Sequence, residues 1–599
     1  MISFIDFYIE KPHMFKNKLI LFIILFPSLT SHATTTGIDQ SILNQNKQEH
    51  RQLIQDIENQ KTTFTKTDNY QDLNINLKDW KEETPCFTIN QFELISSNKK
   101  LLKKFKFILN PLTNKNKPTY AINRCIGQHN LQNIIYITQN ELLKNGYITS
   151  QIYIPDQDLL KGVLKIGINF GKISRFSPER PFINGAIPLK QNDILNLQKL
   201  EQGLEALKRI DPKTNIAIIA DEQKIGYSQL DIHMDKNHSF SGTVGIDNSL
   251  QKQYGTYLVF ASMTANNPLK INDQWQFSVN YPLKRLVNKY QGKTFLKVGQ
   301  NRQLNYQIGL NIPYGNYKMT LSHSLHEYKN PVAGFNNPLL YHGQATTSTL
   351  GLTRLIYRNQ SQKTEGYTKV YHKKSKHFID DIEISVQNRQ TAGYHLGITH
   401  QKQLNDGAFI YANIDYKHGT AMLKAKPAPE EEIYNAFGEK LPAEGFARSP
   451  IWSWYVEYNK PWQISGQNLQ YNLKVQGQYA TKLPTPNDLY YIGGRGSVRG
   501  FKEGDYLTGE HGFSLQQELI WQIPNAFGKQ QTQGYIAFDQ GRVAGEYSRS
   551  DAKKLLGAAI GARHYHKNIS LDGFVARGLY APNFIAKETV FGVSAQYQF

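Results

Sequence analysis

From about Ser239 to the end of the chain, apolar and polar residues alternate with a period of two. Trp275, Phe277, Val279 and Tyr281 are separated by Gln276, Ser278 and Asn280. Tyr317, Met319 and Leu321 are separated by Lys318 and Thr320, and Trp452, Trp454, Val456 and Tyr458 by Ser453, Tyr455 and Glu457. The last run is the cleanest, with Phe591, Val593, Ala595, Tyr597 and Phe599 against Gly592, Ser594, Gln596 and Gln598. Successive side chains of a strand point to opposite faces, so each run predicts a strand with one apolar, aromatic-rich face and one small or polar face.

Such a pattern fits a soluble sandwich, whose apolar faces pack on each other, or a membrane barrel, whose apolar face meets lipid. The aromatics cluster toward strand ends, no internal break divides the region, and the chain closes on an aromatic residue of a strand. These features favour the barrel. At about 10 residues per strand plus connections, positions 239–599 predict roughly 16 antiparallel strands around an aqueous lumen.

Residues 85–238 follow another rhythm. Cys86 to Leu94 alternates as a strand, and Asn130 to Asn145 carries Leu131, Ile134, Ile135, Leu142 and Leu143 at helical spacing before Gly146. Ser150 to Pro155 and Gly162 to Asn169 read as further strands. The order then repeats. A strand starts at Ile173, a helix covers Asp193 to Ile210, and strands cover Ile216 to Ala220 and Ser228 to Met234. This predicts two small tandem α/β modules, 85–170 and 171–238. Upstream, 34–61 is polar and helix-permissive, and 62–84 reads as a polar linker.

The N-terminus resembles a secretory signal within residues 1–33: a basic stretch at Met14–Lys18, an apolar stretch from Leu19 to Leu29, and the small Ala33. Translation starts at Met1 or Met14. The apolar stretch is too short to span a bilayer comfortably, so membrane entry would use strands. Cys86 and Cys125 are the two cysteines of the chain, and in an exported protein they predict one structural disulfide.

Aromatics make up 12% of the chain and Gly occurs 44 times, yet the hydrophobic fraction is 40%, which excludes a helical membrane protein. The net charge of +20 is spread along the length, without a basic helix or aromatic-interleaved motif, so nucleic acid is not an expected partner. No GxSxG, no HExxH and no acid/base pair points to catalysis. No residue set implies a metal or cofactor, and the protein is not expected to be an enzyme.

The run Gly493-Gly-Arg-Gly-Ser-Val-Arg-Gly-Phe501 is rich in glycine but opens no amphipathic helix and lacks the Walker Lys-Ser/Thr, so it is no phosphate loop. It predicts a tight hairpin tip carrying two arginines, and an arginine inside a barrel requires a carboxylate partner. Val498-Arg499-Gly500-Phe501 resembles the signature of barrel transporters preceded by POTRA modules. That resemblance places the motif at the tip of a long extracellular loop folded into the lumen. It pairs the arginine with the aspartate of an F-x-D-x-G motif on a later strand, where this chain has Phe538-Asp539-Gln540-Gly541, and so implies an Arg499–Asp539 pair.

Two modules before the barrel resemble the two-partner secretion transporters (TpsB). The five-module insertase branch of the superfamily would need more chain. Pro85–Ile89, Cys125–Gly127 and Asn145–Ser150 resemble that family's first POTRA, Leu197–Leu204 its second, and Gly245–Ser249 with Asn267–Leu269 its first barrel hairpin. Segment 34–61 resembles its N-terminal plug helix.

The resemblance implies a Gram-negative outer-membrane protein with POTRA modules in the periplasm. It implies an unfolded partner exoprotein, of haemolysin, adhesin or contact-dependent toxin type, captured there and exported without ATP. Capture is expected at the first module's helix and the strand at Gly162–Asn169. Membrane lipid and the barrel assembly machinery are the other expected partners, with Phe599 as the C-terminal barrel signal. An insertase-like barrel and a passive porin or receptor are the alternatives. The porin reading leaves 85–238 without a task.

Overall fold

The structure is a computed structural model that describes residues 80–251, 256–283, 302–332, 339–435, 437–524, 531–545 and 553–599, with short backbone segments at 289–290 and 293–294. The signal region, the plug segment 34–61 and most of the linker lie outside the described residues.

The first module has a three-stranded sheet. β2 (Gln91–Ile95) runs parallel to β5 (Val163–Asn169), and β4 (Gln151–Tyr153) pairs with the other side of β5. β1 (Phe87–Ile89) pairs separately with β3 (Arg124–Ile126). The single strand expected over Cys86–Leu94 is therefore two, parted at Asn90, whose backbone N–H donates to Gly162 O. Capture was expected at the strand Gly162–Asn169, but β5 is the central strand of its sheet, and the edges are β2 and β4.

Three helices cover the sheet: α1 (Lys99–Phe105), α2 (Asn110–Thr113) and α3 (Gln128–Lys144). The first two were not expected, because their Lys- and Asn-rich sequence shows too little apolar periodicity. Phe105, Ile108 and Leu112 nevertheless reach the core shared with Ile134, Leu142, Leu164 and Ile166.

Residues 80–84, read from composition as linker, are tied to this module. Glu83 caps α3, accepting from the backbone N–H of Gly127 (3.1 Å), His129 (2.6 Å) and Asn130 (3.0 Å). Desolvation pushes the Glu83 carboxyl up, but those three N–H donors and the nearby His129 outweigh it and hold it below its usual value. With a depressed folded pKa, the stabilisation is present above the ordinary glutamate pKa and is lost as pH falls through the folded value. Glu83→Ala should cost about 1 kcal/mol, and the difference from wild type should shrink on acidification below the carboxylate range. Thermal unfolding of the purified protein at neutral and acid pH checks both.

Cys86 and Cys125 form a disulfide with Cα atoms 5.3 Å apart, closing a sequence separation of 39. Replacing both by Ser should destabilise the module by about 2–4 kcal/mol, read as faster proteolysis of 85–170 in the intact protein.

The second module repeats the topology. β6 (Lys172–Ser177) runs parallel to β8 (Tyr227–His233), and β7 (Asn215–Ala220) forms the other edge. Helices α4 (Pro181–Ala186) and α5 (Leu197–Lys208) pack on it, with Asn196 capping α5 through its side chain. The expected helix over Asp193–Ile210 is thus shorter, since Asn196 must leave helical geometry to cap. The modules join closely: Asn196 Nδ2 donates to Asn145 O at the end of α3.

Sixteen antiparallel strands then close a barrel. They begin with β9 (Ser239–Asp247), β10 (Leu258–Asn266), β11 (Gln274–Pro282), β12 (Arg302–Tyr314) and β13 (Tyr317–Val332). β14 (Leu339–Arg358), β15 (Gln362–Ile379), β16 (Arg389–Gln403), β17 (Phe409–Thr420), β18 (Ile451–Ile464) and β19 (Gln467–Ala480) follow. A short inserted hairpin, β20 (Tyr490–Ile492) and β21 (Leu507–Gly509), precedes the last five strands. These are β22 (His511–Ile523), β23 (Gln531–Ala544), β24 (Lys554–His566), β25 (Ile569–Tyr580) and β26 (Thr589–Gln598).

Phe277, Met319, Leu321, Trp452, Phe591, Val593 and Tyr597 are exposed on the outer face, as the alternation requires. β26 closes onto β9, where Phe599 and Gly242 exchange both backbone hydrogen bonds at 3.0 Å. Of the two segments compared with a first hairpin, Gly245–Ser249 lies there, whereas Asn267–Leu269 forms the next connection, between β10 and β11.

Candidate functional site: a loop seated in the barrel lumen

The connection between β19 and β22 turns inward. Its β20–β21 hairpin lies against the inner wall, where Tyr490 Oη donates to Gln476 O (3.1 Å) and meets Ser514 Oγ (3.0 Å). Beyond β20, the tip Gly493–Phe501 reverses the chain. Gly493, Gly494 and Gly500 have φ of +125°, +81° and +97°, a region in which a side chain is strained.

Arg499 is held from two sides. Asp539 Oδ2 accepts from the Arg499 backbone N–H (2.9 Å) and Nε (2.6 Å), while Oδ1 accepts from Nη2 (2.7 Å). Nη1 bonds Glu518, whose oxygens also accept two hydrogen bonds from Arg563, each 2.9 Å. Arg563 lies 3.5 Å from Asp572 and stacks over the Tyr535 ring at 4.1 Å. Arg499 is 5% exposed and Asp539 1%. A bidentate pair this far from water keeps its strength only because both charges are matched.

Sequence reasoning brought Arg499 and Asp539 together but missed Glu518 and Arg563. Each is a lone charge in a strand, without a local signal. The strand pairing puts them on one face of the wall: Glu518 on β22 is level with Ala537 on β23 and Ala559 on β24, four residues along β24 from Arg563. The other tip arginine, Arg495, was also expected to need a carboxylate. It lies instead over the Phe574 ring at 5.0 Å, and its backbone N–H donates to Glu503.

An apolar seat supports the tip. Val498 and Phe501 are buried with Ile492, Leu507, Val543 and Leu555. Glycines on the wall make room for it. A Cβ at Gly557 would lie 1.7 Å from Arg499 O, and one at Gly541 would lie 3.0 Å from side-chain carbons of Ile492 and Val498. On the loop, a Cβ at Gly500 would lie 2.4 Å from the Arg577 carbonyl carbon.

Phe538 requires a correction. It was grouped with Asp539 and Gly541 as one wall motif, yet it is 41% exposed on the outer face. Neighbours in a strand point to opposite faces, so the residue that shares Asp539's side is Ala537. Phe599 is likewise on the outside, with its ring over Gly242. No cluster of metal-ligating side chains occurs among the described residues.

At the periplasmic end, the second module is locked to the barrel mouth. Glu205 of α5 bonds Arg358 and, at 3.0 Å, Lys363, which also lies 3.2 Å from Glu365. The Gly315 backbone N–H donates to Gly185 O at 2.8 Å. Burial opposes the Glu205 charge, but Lys363 and Arg358 overcome it and hold the carboxyl at about 2. The contact therefore survives acidification and is lost only as pH falls through that value. Glu205→Lys leaves Arg358 and Lys363 facing a third cation. It should weaken docking by about 3 kcal/mol and speed trypsin cleavage at Lys236 by roughly a hundredfold.

A profile described as haemolysin secretion/activation protein ShlB/FhaC/HecB matches residues 226–564. ShlB-type POTRA and POTRA profiles match 87–171 and 168–218. The chain belongs to the ShlB/FhaC/HecB family. Among its relatives, the outer membrane transporter CdiB of Dickeya dadantii (strain 3937) is 24% identical, covering 94% of this chain and 95% of the relative. The hemolysin transporter protein ShlB of Serratia marcescens is 22% identical over 80% and 81%. The solved structure of CdiB from Acinetobacter baumannii superposes with a TM-score of 0.78 at 32% identity, covering 95% of this chain and 100% of that one. This ShlB/FhaC/HecB member is accordingly an outer-membrane transporter of two-partner secretion.

Proposed function

We propose that this transporter captures an unfolded partner exoprotein in the periplasm on the sheet edges of its two modules, passes it through the lumen, and releases it outside. The observation that carries the reading is the seated loop. A closed wall of 16 strands encloses a lumen, and a loop anchored by buried ion pairs occupies it. A plain diffusion pore would gain nothing from an obstruction fixed so firmly.

The periplasm holds no ATP, so capture and folding must supply the drive. The edges are β2 and β4 in the first module and β6 and β7 in the second. β7 has the sequence Asn-Ile-Ala-Ile-Ile-Ala and exposes Ile219, which suits addition of an extended apolar strand. Arg499 and Asp539 hold the loop in register, the Cys86–Cys125 disulfide stiffens the first module, and the outer band of aromatics meets lipid. Phe599 is read as the signal by which the assembly machinery receives the barrel.

The test is secretion. The chain is expressed in a Gram-negative host with the large exported protein encoded beside it, and the medium is assayed for that protein. Its appearance only when the transporter is present supports the reading. Its appearance without the transporter overturns it.

A further inference from the structure

A few strands round the wall from the Arg499 anchor, the loop makes a second charged contact with the lumen wall. Asp488, on the limb that descends from β19 toward the tip, bonds Lys417 of β17 and lies 4.0 Å from Lys373 of β15. Its own carbonyl accepts from Gln478 Nε2 at 2.7 Å. The loop is thus pinned to β22–β23 by its tip and to β15–β17 by its limb, and it straps the lumen between them.

The wall under Asp488 has a distinct make-up. Strand register sets Lys369, His395 and Lys417 in one row across β15, β16 and β17. Lys373 stands four residues further along the same face of β15. Aromatic rings separate the charges: Lys369 lies 4.8 Å over Tyr367, and Lys417 lies 5.2 Å over Tyr371. Asp415 is the wall's own counter-charge, accepting from Tyr367 Oη (2.8 Å) and paired with His395 (2.7 Å). A cavity of about 330 Å³ lies between this strip and the loop limb. Three lysines thus face two carboxylates, one of which belongs to the loop.

We infer that Asp488 is a detachable internal counter-ion, and that the Lys369–Lys373–Lys417 strip beneath it is a binding site for anionic groups when the limb swings away. The two anchors differ in a way that orders their release. Arg499 and Asp539 are almost wholly buried and joined by three hydrogen bonds. Asp488, Lys417 and Lys373 keep 16%, 12% and 16% of their side chains exposed. Charges within reach of water are held more weakly than a buried, multiply bonded pair. The limb therefore detaches first and the loop pivots on Arg499. The strip it uncovers carries a clear excess of positive charge, spaced by rings that suit an extended chain bearing carboxylates.

Chloride is the probe, and the measurement is single-channel current of the purified full chain in planar lipid bilayers across a KCl gradient. It needs no cargo, so its outcome is separate from that of the secretion assay. Asp488→Asn should open the channel severalfold more often and shift the reversal potential toward chloride. Lys373→Gln with Lys417→Gln should also open it more often but shift the reversal potential toward potassium. The exchanged pair Asp488→Lys with Lys417→Asp should return opening to near the wild-type level, which separates a specific contact from a damaged barrel. Wild-type opening in Asp488→Asn overturns the anchor. A shift of the same sign in the aspartate and lysine variants overturns the anion site.

Discussion

Asp539→Arg will insert into the outer membrane as the wild type does, yet secrete less than about 1% of the wild-type amount of its partner. The substitution leaves Arg499 buried against a second cation. Breaking one side of a buried pair costs about 3–5 kcal/mol, enough to invert the seated and unseated populations of the loop by a hundredfold or more. The wall itself is spared, because β23 keeps its backbone ladders to β22 and β24 over its whole length. Heat-modifiable migration on a gel reports barrel integrity, and partner in the medium reports transport. Normal secretion by Asp539→Arg would show that the seated tip is dispensable.

Deleting residues 85–238 should abolish secretion entirely, a loss of at least about a hundredfold, while a folded barrel remains. The modules carry the sheet edges on which capture is proposed, and the deletion removes all of these together with the Glu205 lock at the mouth. The barrel closes through its own first and last strands and needs no residue from the modules to do so. If the partner still reaches the medium, capture does not occur on these edges.

The wall was legible in the sequence because a half-lipid, half-water strand must alternate, and runs such as Phe591–Phe599 do so without interruption. The same period could have placed Phe538 correctly, since an outward aromatic beside an inward aspartate is what alternation demands. The Arg499–Asp539 pair was implied by the family resemblance of Val498–Phe501 and of the later strand, not by local pattern. Glu518 and Arg563 were invisible, because only the assembly of β22, β23 and β24 side by side brings them within hydrogen-bond reach. The central position of β5 was hidden for a similar reason: a parallel partnership between residues 91–95 and 163–167 leaves no mark on either segment alone. Helices α1 and α2 were masked by lysine and asparagine, and tertiary packing of Phe105 and Leu112 rather than periodicity stabilises them.

The glycine lining of the loop seat bears on how the transporter is reset. Where the tip meets Gly557, backbone approaches backbone, and at Gly578 the Phe501 ring fills the space a wall side chain would take. The tip can lift away and settle again without any wall side chain at those two positions having to move aside. Reseating then depends on remaking the Arg499 and Asp488 charge contacts and on burying Val498 and Phe501 again.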